Sequence, residues 1–383
     1  MVRAMPDLQK TDTQPEPVVV TGSVIALRLF DIAYAIDLRR AERLWAERAG
    51  GPSSRGRLVS TPPKAVAFGV PPLEVSLPSV RLDLADGPVA ARVLARLYDF
   101  GAVTLALEVP AGGLGFAAYA ARVNAVDRAV SDPARTPWAA LLAQVRSDFA
   151  GALERPTTTT LEEDYLLGTV EAFDGPLSAE ALLARVDLVP LLSGESRPLS
   201  ASARADLLAR RFSYYTDDLV VLTWDRAFIY EPRGDSDVLD VVEVANAQLL
   251  EMRYYDELLD AELPRMYDLV EGTQRAAWLF ASRRFAGLAR RLYALVAEVT
   301  ELTERVDNAL QVTEDVYLAR VYAAALDLFR VHTVSAAVDR KLAIVRDTYT
   351  ALYDEASSGR AALMEAAVVA LICIEVALAL WRH

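Results

Sequence analysis

Cysteine and histidine are almost missing from this chain of 383 residues: Cys373 stands alone, and His332 and His383 are the only imidazoles. One cysteine excludes a disulfide framework within the chain, and so few thiols and imidazoles leave no ligand set for a Cys/His zinc centre. Cations are also in deficit. Forty Lys and Arg against 53 Asp and Glu give a formal charge of −13. That argues against broad nucleic-acid binding, because neutralising phosphates needs a surplus of basic residues. Beyond Asp237 glycine becomes rare and Pro264 is the only proline, which leaves little to punctuate strands or turns there. Met1 to Pro17 lacks an apolar run; it excludes a signal peptide and reads as a flexible lead-in.

What is present describes a folded protein, with 53% hydrophobic and 24% charged residues. Residues 18–236 alternate between strand and helix patterns. Val18–Phe30, Ala65–Phe68, Leu73–Leu84, Tyr98–Val109 and Tyr165–Phe173 read as strands. Asp37–Ala49, Gly115–Val130, Pro137–Leu153 and Ser178–Leu192 read as helices, the first capped by Asp37. Phe212–Thr223 and Ala227–Glu231 form a hairpin turning at Trp224, Asp225 and Arg226. The order predicts an α+β fold with a ferredoxin-like, split βαβ N-terminal domain.

Residues 237–360 predict a helical, coiled-coil region. Leu288, Leu292, Leu295, Val299, Leu302, Val306 and Leu310 follow a 4-3 rhythm, and so do Val331, Val334, Val338, Leu342, Val345, Tyr349 and Leu352. Thr313 is placed to cap a connecting helix. Both heptad helices start basic (Arg283, Arg284, Arg290, Arg291; Arg340, Lys341, Arg346) and end acidic (Glu298, Glu301, Glu304, Asp307; Asp354, Glu355). Laid antiparallel, each basic start meets the other's acidic end, pairing Arg284 with Asp354. Such exposed pairs contribute only about 0.2–1 kcal/mol each, but they set orientation.

Several stretches carry a family resemblance. Tyr98–Val109 ("YDFGAVTLALEV"), Glu243–Asp260 ("EVANAQLLEMRYYDELLD"), Arg340–Leu352 and the run "LMEAAVVALICIEVALAL" resemble, in order, segments of the "required for meiotic nuclear division" family. That family is a domain of unknown function with a mitochondrial inner-membrane homologue. The resemblance covers nearly all of the chain after the lead-in. It implies a soluble α+β domain, a helical region and a membrane-associated, homo-oligomeric tail, and it supplies no catalytic residues.

Chemistry-bearing motifs are sparse. "PAGGLG" at Pro110–Gly115 lies between a strand and a helix, where backbone N–H groups bind anions, but it lacks the lysine and hydroxyl of a phosphate loop. Asp235, Asp237 and Asp240 miss the calcium-loop spacing and read as a polar turn and helix cap. Asp217 and Asp218 beside Tyr214 and Tyr215 mix acids with phenols at a strand entry, without a complete base, nucleophile and orienting group. No catalytic residue, cofactor or metal site is assigned, and an enzyme is the less favoured expectation. Arg253, Tyr254 and Tyr255 form a candidate partner contact, since Tyr and Arg favour interface hot spots, but packing of this helix on the sheet is the favoured reading. Arg253 also stands four residues before Glu257, within pairing reach, while Asn246 and Gln248 read as buried hydrogen-bonding pegs. The Arg283–Arg291 stripe could touch lipid or RNA, but coiled-coil pairing accounts for it first.

Residues 361–383 form an apolar C-terminal helix, long enough for one membrane crossing and interrupted by Glu365 and Glu375. Ten residues apart, these carboxylates project about 80° from each other and give the helix one polar side. Ala366, Ala367 and Ala370 allow close helix approach. A charged Glu375 costs a lone spanning helix on the order of 2.5–3.5 kcal/mol. An oligomer in the membrane, with Glu365, Glu375, Ala366 and Ala370 at its contacts, is the leading reading, and a soluble bundle is the second. The expected function is a membrane-associated homo-oligomeric scaffold with its N-terminal domain cytoplasmic, contacting itself, a membrane and a protein partner. A cytoplasmic soluble protein is the second localisation. Two other functions stay open: an enzyme or small-ligand binder using the α+β domain, and a pore or transport assembly through the C-terminal helices.

Overall fold

A computed structural model describes residues 15–49, 54–55, 66–68, 70–132, 136–158, 161–234, 237–274, 287, 289–294, 296–297, 299–300, 310–312 and 316–381. The first strand, β1 (Val18–Asp31), alternates its side chains cleanly. Val24, Ala26 and Phe30 enter one core, while Leu27 and Leu29 enter another on the opposite face. A sheet buried on both faces is the framework of the molecule.

Around β1 the sheet grows mostly by antiparallel neighbours. On one side lie β7 (Ala102–Pro110), β6 (Gly87–Leu97), β5 (Leu73–Leu84) and β3 (Ser54–Arg55). On the other lie β10 (Glu162–Phe173), β13 (Arg226–Tyr230), β12 (Leu219–Leu222) and β11 (Arg211–Phe212). The pair β8 (Leu114–Gly115) and β1 completes the ten strands. Only β10 and β13 run parallel among the described pairs of this sheet. Small two-stranded pairs form between β2 (Ala33–Ile36) and β9 (Leu153–Pro156), and between β4 (Val66–Phe68) and β14 (Leu310–Val312).

The fold is thus α+β with a large mixed sheet, whose ten strands exceed the ferredoxin-like unit expected from the sequence. Much of the difference traces to β6. Its sequence, GPVAARVLARL, is rich in helix-favouring Ala, Leu and Arg, yet pairing with β5 and β7 on both edges overrides propensity. Tyr98–Gly101 belongs to the turn between β6 and β7, with Gly101 at φ +105°, so β7 starts later than the strand expected from Tyr98. A side chain at Gly101 would overlap the Ala33 carbonyl, 1.8 Å from the Cβ position.

One face of the sheet carries α1 (Leu38–Ala49), α2 (Phe116–Ser131) and α3 (Trp138–Asp148). Asp37 caps α1 as expected, its Oδ1 accepting from Arg40 N at 3.0 Å. The expected helix over Pro137–Leu153 ends at Asp148, followed by a short 3₁₀ turn and β9. Ser178–Leu192 divides into α4 (Ala179–Arg185) and α5 (Val189–Ser193), and α6 spans Ala201–Leu207. The hairpin of β12 and β13 turns over Thr223–Asp225.

The other face carries the helices of the second half. Helix α7 (Val238–Gln274) contains Pro264 and buries Val241, Val242, Ala245, Tyr255 and Leu259. Helix α8 (Val316–Leu328) turns through Arg330, at φ +57°, into α9 (Val331–Trp381), a single helix of 51 residues. The second heptad stripe faces inward: Val331, Val338 and Val345 are buried, and Val334, Leu342 and Tyr349 half-buried. It packs against α7, where Lys341 Nζ lies 2.7 Å from Asp256 Oδ1 and 2.6 Å from Asp260 Oδ1.

Of the first heptad stripe, Leu292 and Val299 are buried, and Tyr293 meets Tyr349 with ring centroids 5.9 Å apart. Leu310 departs from that stripe: it stands in β14, paired with Phe68 of β4. Leu288, Leu295, Leu302, Val306, the Thr313 cap and the Arg284–Asp354 pairing lie outside the described residues or depend on them.

Candidate functional site

The alternation of β6 that sequence reading missed also builds a polar cluster. Val93, Ala95 and Leu97 enter the core beneath α2, which puts Arg92, Leu94 and Arg96 on the α7 side. There Arg96 is held by three carboxylates from separate elements. Its Nε lies 2.9 Å from Glu74 of β5, and its Nη1 lies 2.6 Å from Asp240 and 2.8 Å from Glu243 of α7. Tyr98 donates its hydroxyl to the other Glu243 oxygen at 2.6 Å. Burial pushes the Glu243 carboxyl above its usual range, opposed by the Arg96 charge and the Tyr98 hydrogen bond. Burial alone would lower the Arg96 guanidinium, but Glu243 and Asp240 hold it well above its ordinary value.

Beside this cluster the sheet stays uncovered. A cleft of about 270 Å³ is bounded by Ser23 and Ile25 of β1, Arg92 and Leu94 of β6, Ala106 and Glu108 of β7, Thr169 and Glu171 of β10, Glu231, and Leu239 and Glu243 of α7. Ser23 and Thr169 hydroxyls share a hydrogen bond of 2.8 Å across the floor.

A second buried acidic group lies under the middle of α7. Asp31, at the end of β1, and Glu251 are both nearly inaccessible, and each has a carboxylate oxygen without a hydrogen-bond partner. Tyr255 donates to the remaining Glu251 oxygen at 2.9 Å. Burial pushes Asp31 from 3.8 to about 7, against the hydrogen bond from Thr157 and the charge of Arg146. Burial, then repulsion from Asp31, pushes Glu251 well above the usual carboxylate range.

These placements sort the expected residues. Tyr255 is enclosed in the core and offers no surface to a partner. Tyr254 is half-buried against the same core. Arg253 is more exposed and pairs with Glu163 of β10 instead of Glu257, fixing α7 to the sheet. Asn246 is buried and donates to the Val242 carbonyl at 3.4 Å, while Gln248 accepts from Tyr322 at 2.7 Å. In the "PAGGLG" turn, Ala111 N donates to Gly22 O at 2.9 Å and Gly113 N to Val19 O at 2.7 Å. Those N–H groups bind β1, and the Glu16 carboxylate accepts from Ala117 N at the start of α2.

Asp218 accepts the backbone N–H groups of Tyr214 and Tyr215 at 2.8 and 3.2 Å, closing a turn. Asp240 serves the Arg96 cluster, while Asp235, Arg283 and Arg284 lie outside the described residues. Among the described residues, no group of three or more His, Cys, Asp and Glu could hold a metal ion.

The end of α9 is unlike everything before it. Met364 is 72% exposed and Trp381 90%, and Val368, Val369, Leu371, Ile372, Ile374, Val376 and Leu378 all face solvent. Glu365, Ala370 and Glu375 are exposed as well; the side chain of Ala366 is outside the description. Within the described residues no single helix is long and apolar enough to cross a membrane. Val316–Leu328 and Val331–Ala351 meet that test together, bent by 62°.

A family described as "Uncharacterized protein MJ0711, N-terminal domain" matches residues 21–237, more than half of the chain, and the chain belongs to that family. The uncharacterised protein MJ0711 of Methanocaldococcus jannaschii is 25% identical over 195 residues, covering 50% of this chain and 58% of its own length. This chain therefore spans less than two thirds of that relative. No solved structure matches. The matched family is a domain of unknown function, and its span takes in the ten-stranded sheet except the first three residues of β1, ending just before α7.

Proposed function

We propose that this member of the MJ0711 N-terminal-domain family is a homo-oligomeric scaffold held at a membrane by the end of α9. The observation that carries the reading is the run of exposed apolar side chains from Met364 to Trp381 along one helix. A contiguous apolar surface of this kind marks an interaction or membrane site, because water solvates it poorly. The 21 residues of 361–381 extend about 31 Å as a helix, near the thickness of a bilayer's hydrocarbon core. Glu365 and Glu375 give that helix one polar side, which lipid disfavours and which packing between copies would shelter. Kinship with the "required for meiotic nuclear division" family is part of the same proposal, supported by the segments from Tyr98–Val109 to the apolar run.

In this arrangement the helices α7, α8 and the first half of α9 join the sheet domain to the membrane. Carbonate washing of membranes from cells expressing the intact chain tests the attachment. The protein is expected to stay with the membrane pellet, and to leave it when residues 361–383 are deleted. Release of the intact chain by carbonate would contradict the reading.

A further inference from the structure

We infer that Asp31 and Glu251 share a proton across the contact between the sheet and α7, and that this proton seats the middle of α7 on the end of β1. The inference needs nothing from the C-terminal helix. The two carboxyls come from separate layers, Asp31 from the last position of β1 and Glu251 from the first half of α7. Both are nearly inaccessible, and Asp31 Oδ2 and Glu251 Oε1 are each buried without a donor. A buried acceptor without a donor is costly, and a buried charge without one more so.

The groups packed around the pair supply too few donors. Tyr255 gives its hydroxyl to Glu251 Oε2 at 2.9 Å, and Tyr254 packs edge-on against Tyr255. The Thr157 hydroxyl donates to the Asp31 backbone carbonyl at 3.2 Å. Arg146 of α3 adds charge near Asp31, but among the described residues neither carboxyl has an ion pair. The charge of Asp31 also reaches Glu251, so the two carboxyls interact directly. Two carboxyls in one dry site do not both ionise; a proton on one donates to the other and serves both open oxygens. Its release to solvent leaves like charges facing each other, which lifting of α7 from β1 relieves. Arg96 still pins α7 at Asp240 and Glu243, and Arg253 at Glu163, so the loosening falls between them.

Hydrogen exchange of the intact chain in mild detergent, followed from about pH 7 to about pH 8.5 and corrected for intrinsic rates, tests this. Protection of the Val244–Met252 amides is expected to fall about tenfold per pH unit, the slope of one proton released on opening. Strands β6 and β7 should keep theirs. Glu251→Gln and Asp31→Asn each place an amide donor where the proton stood. Either alone should remove the slope, and the two together should remove no more. A flat profile in the unsubstituted chain would overturn the inference, whichever variants fold. So would a slope that survives either amide, or one that halves in each single variant and vanishes only in the double, as independent titration would give. Loss of membrane attachment would not bear on it.

Discussion

The two halves of α9 share one backbone and differ in where their apolar residues fall. From Val331 to Tyr349 they repeat every three or four positions, and the stripe they make is covered by α7; Val338 is 2% exposed and Val345 1%. From Met364 to Trp381 they go round the helix, and the described side chains are exposed. A stripe needs one protein neighbour, while a helix apolar all round needs to be enclosed. The first half satisfies its sequence within this chain, while the described side chains of the second are left exposed, and the proposed membrane assembly is what would enclose them.

The sharpest way to break that contrast is removal of residues 361–383. It should abolish membrane retention while leaving the thermal unfolding of the sheet domain nearly unchanged, which circular dichroism would register. A large fall in the midpoint would mean that the second half is also part of the folded core. Next in size is Arg96→Ala, acting through the platform on which the first half rests. Glu243 would be left buried without its ion pair, at a cost of roughly 3–5 kcal/mol in denaturant unfolding. A loss under about 1 kcal/mol would show that α7 is not anchored there.

Matched substitutions compare the halves directly. Val338→Asp buries an unpaired charge and should destabilise by roughly 3 kcal/mol or more, whereas Val369→Asp should leave unfolding unchanged and weaken membrane retention. Equal effects on unfolding would erase the distinction. A pH series probes the same platform from beneath. Asp31 has a folded pKa of about 7 against an ordinary 3.8, so between these values the folded chain holds a proton that the unfolded chain has released. Its stabilisation is full below 3.8 and is lost as pH rises through about 7. The decline is on the order of 2–4 kcal/mol, and Asp31→Asn should make it shallower. An unchanged slope would remove Asp31 from the account. The smallest expected effect is Lys341→Ala, about 0.5–1 kcal/mol, because its pairs with Asp256 and Asp260 are partly solvated.

What the sequence made legible follows the same division. Periodicity located β1, α1, α2, the second heptad stripe and the apolar end of α9, because each is governed by a local repeat. It missed β6, whose composition favours a helix and whose strand state depends on partners on both edges. Missing β6 also hid Arg96, since only strand alternation places it opposite α7. Glu243 and Asp240 were read as part of a helix or its cap, and their meeting with Arg96 joins residues more than 140 positions apart. Asp31 and Glu251 carried no local signal of burial. Arg253 and Tyr255 were visible as residue types of an interface, but one is tied to Glu163 and the other enclosed. Composition identifies such residues; only the packing assigns them.

The central claim is that the end of α9 meets other copies of itself. The direct measurement is the mass of the protein in mild detergent, compared between the intact chain and one ending at Arg360. The account predicts a defined multiple of the chain mass for the intact protein, reduced by Glu375→Leu, and a single chain after truncation. The same assembly size in both would contradict it.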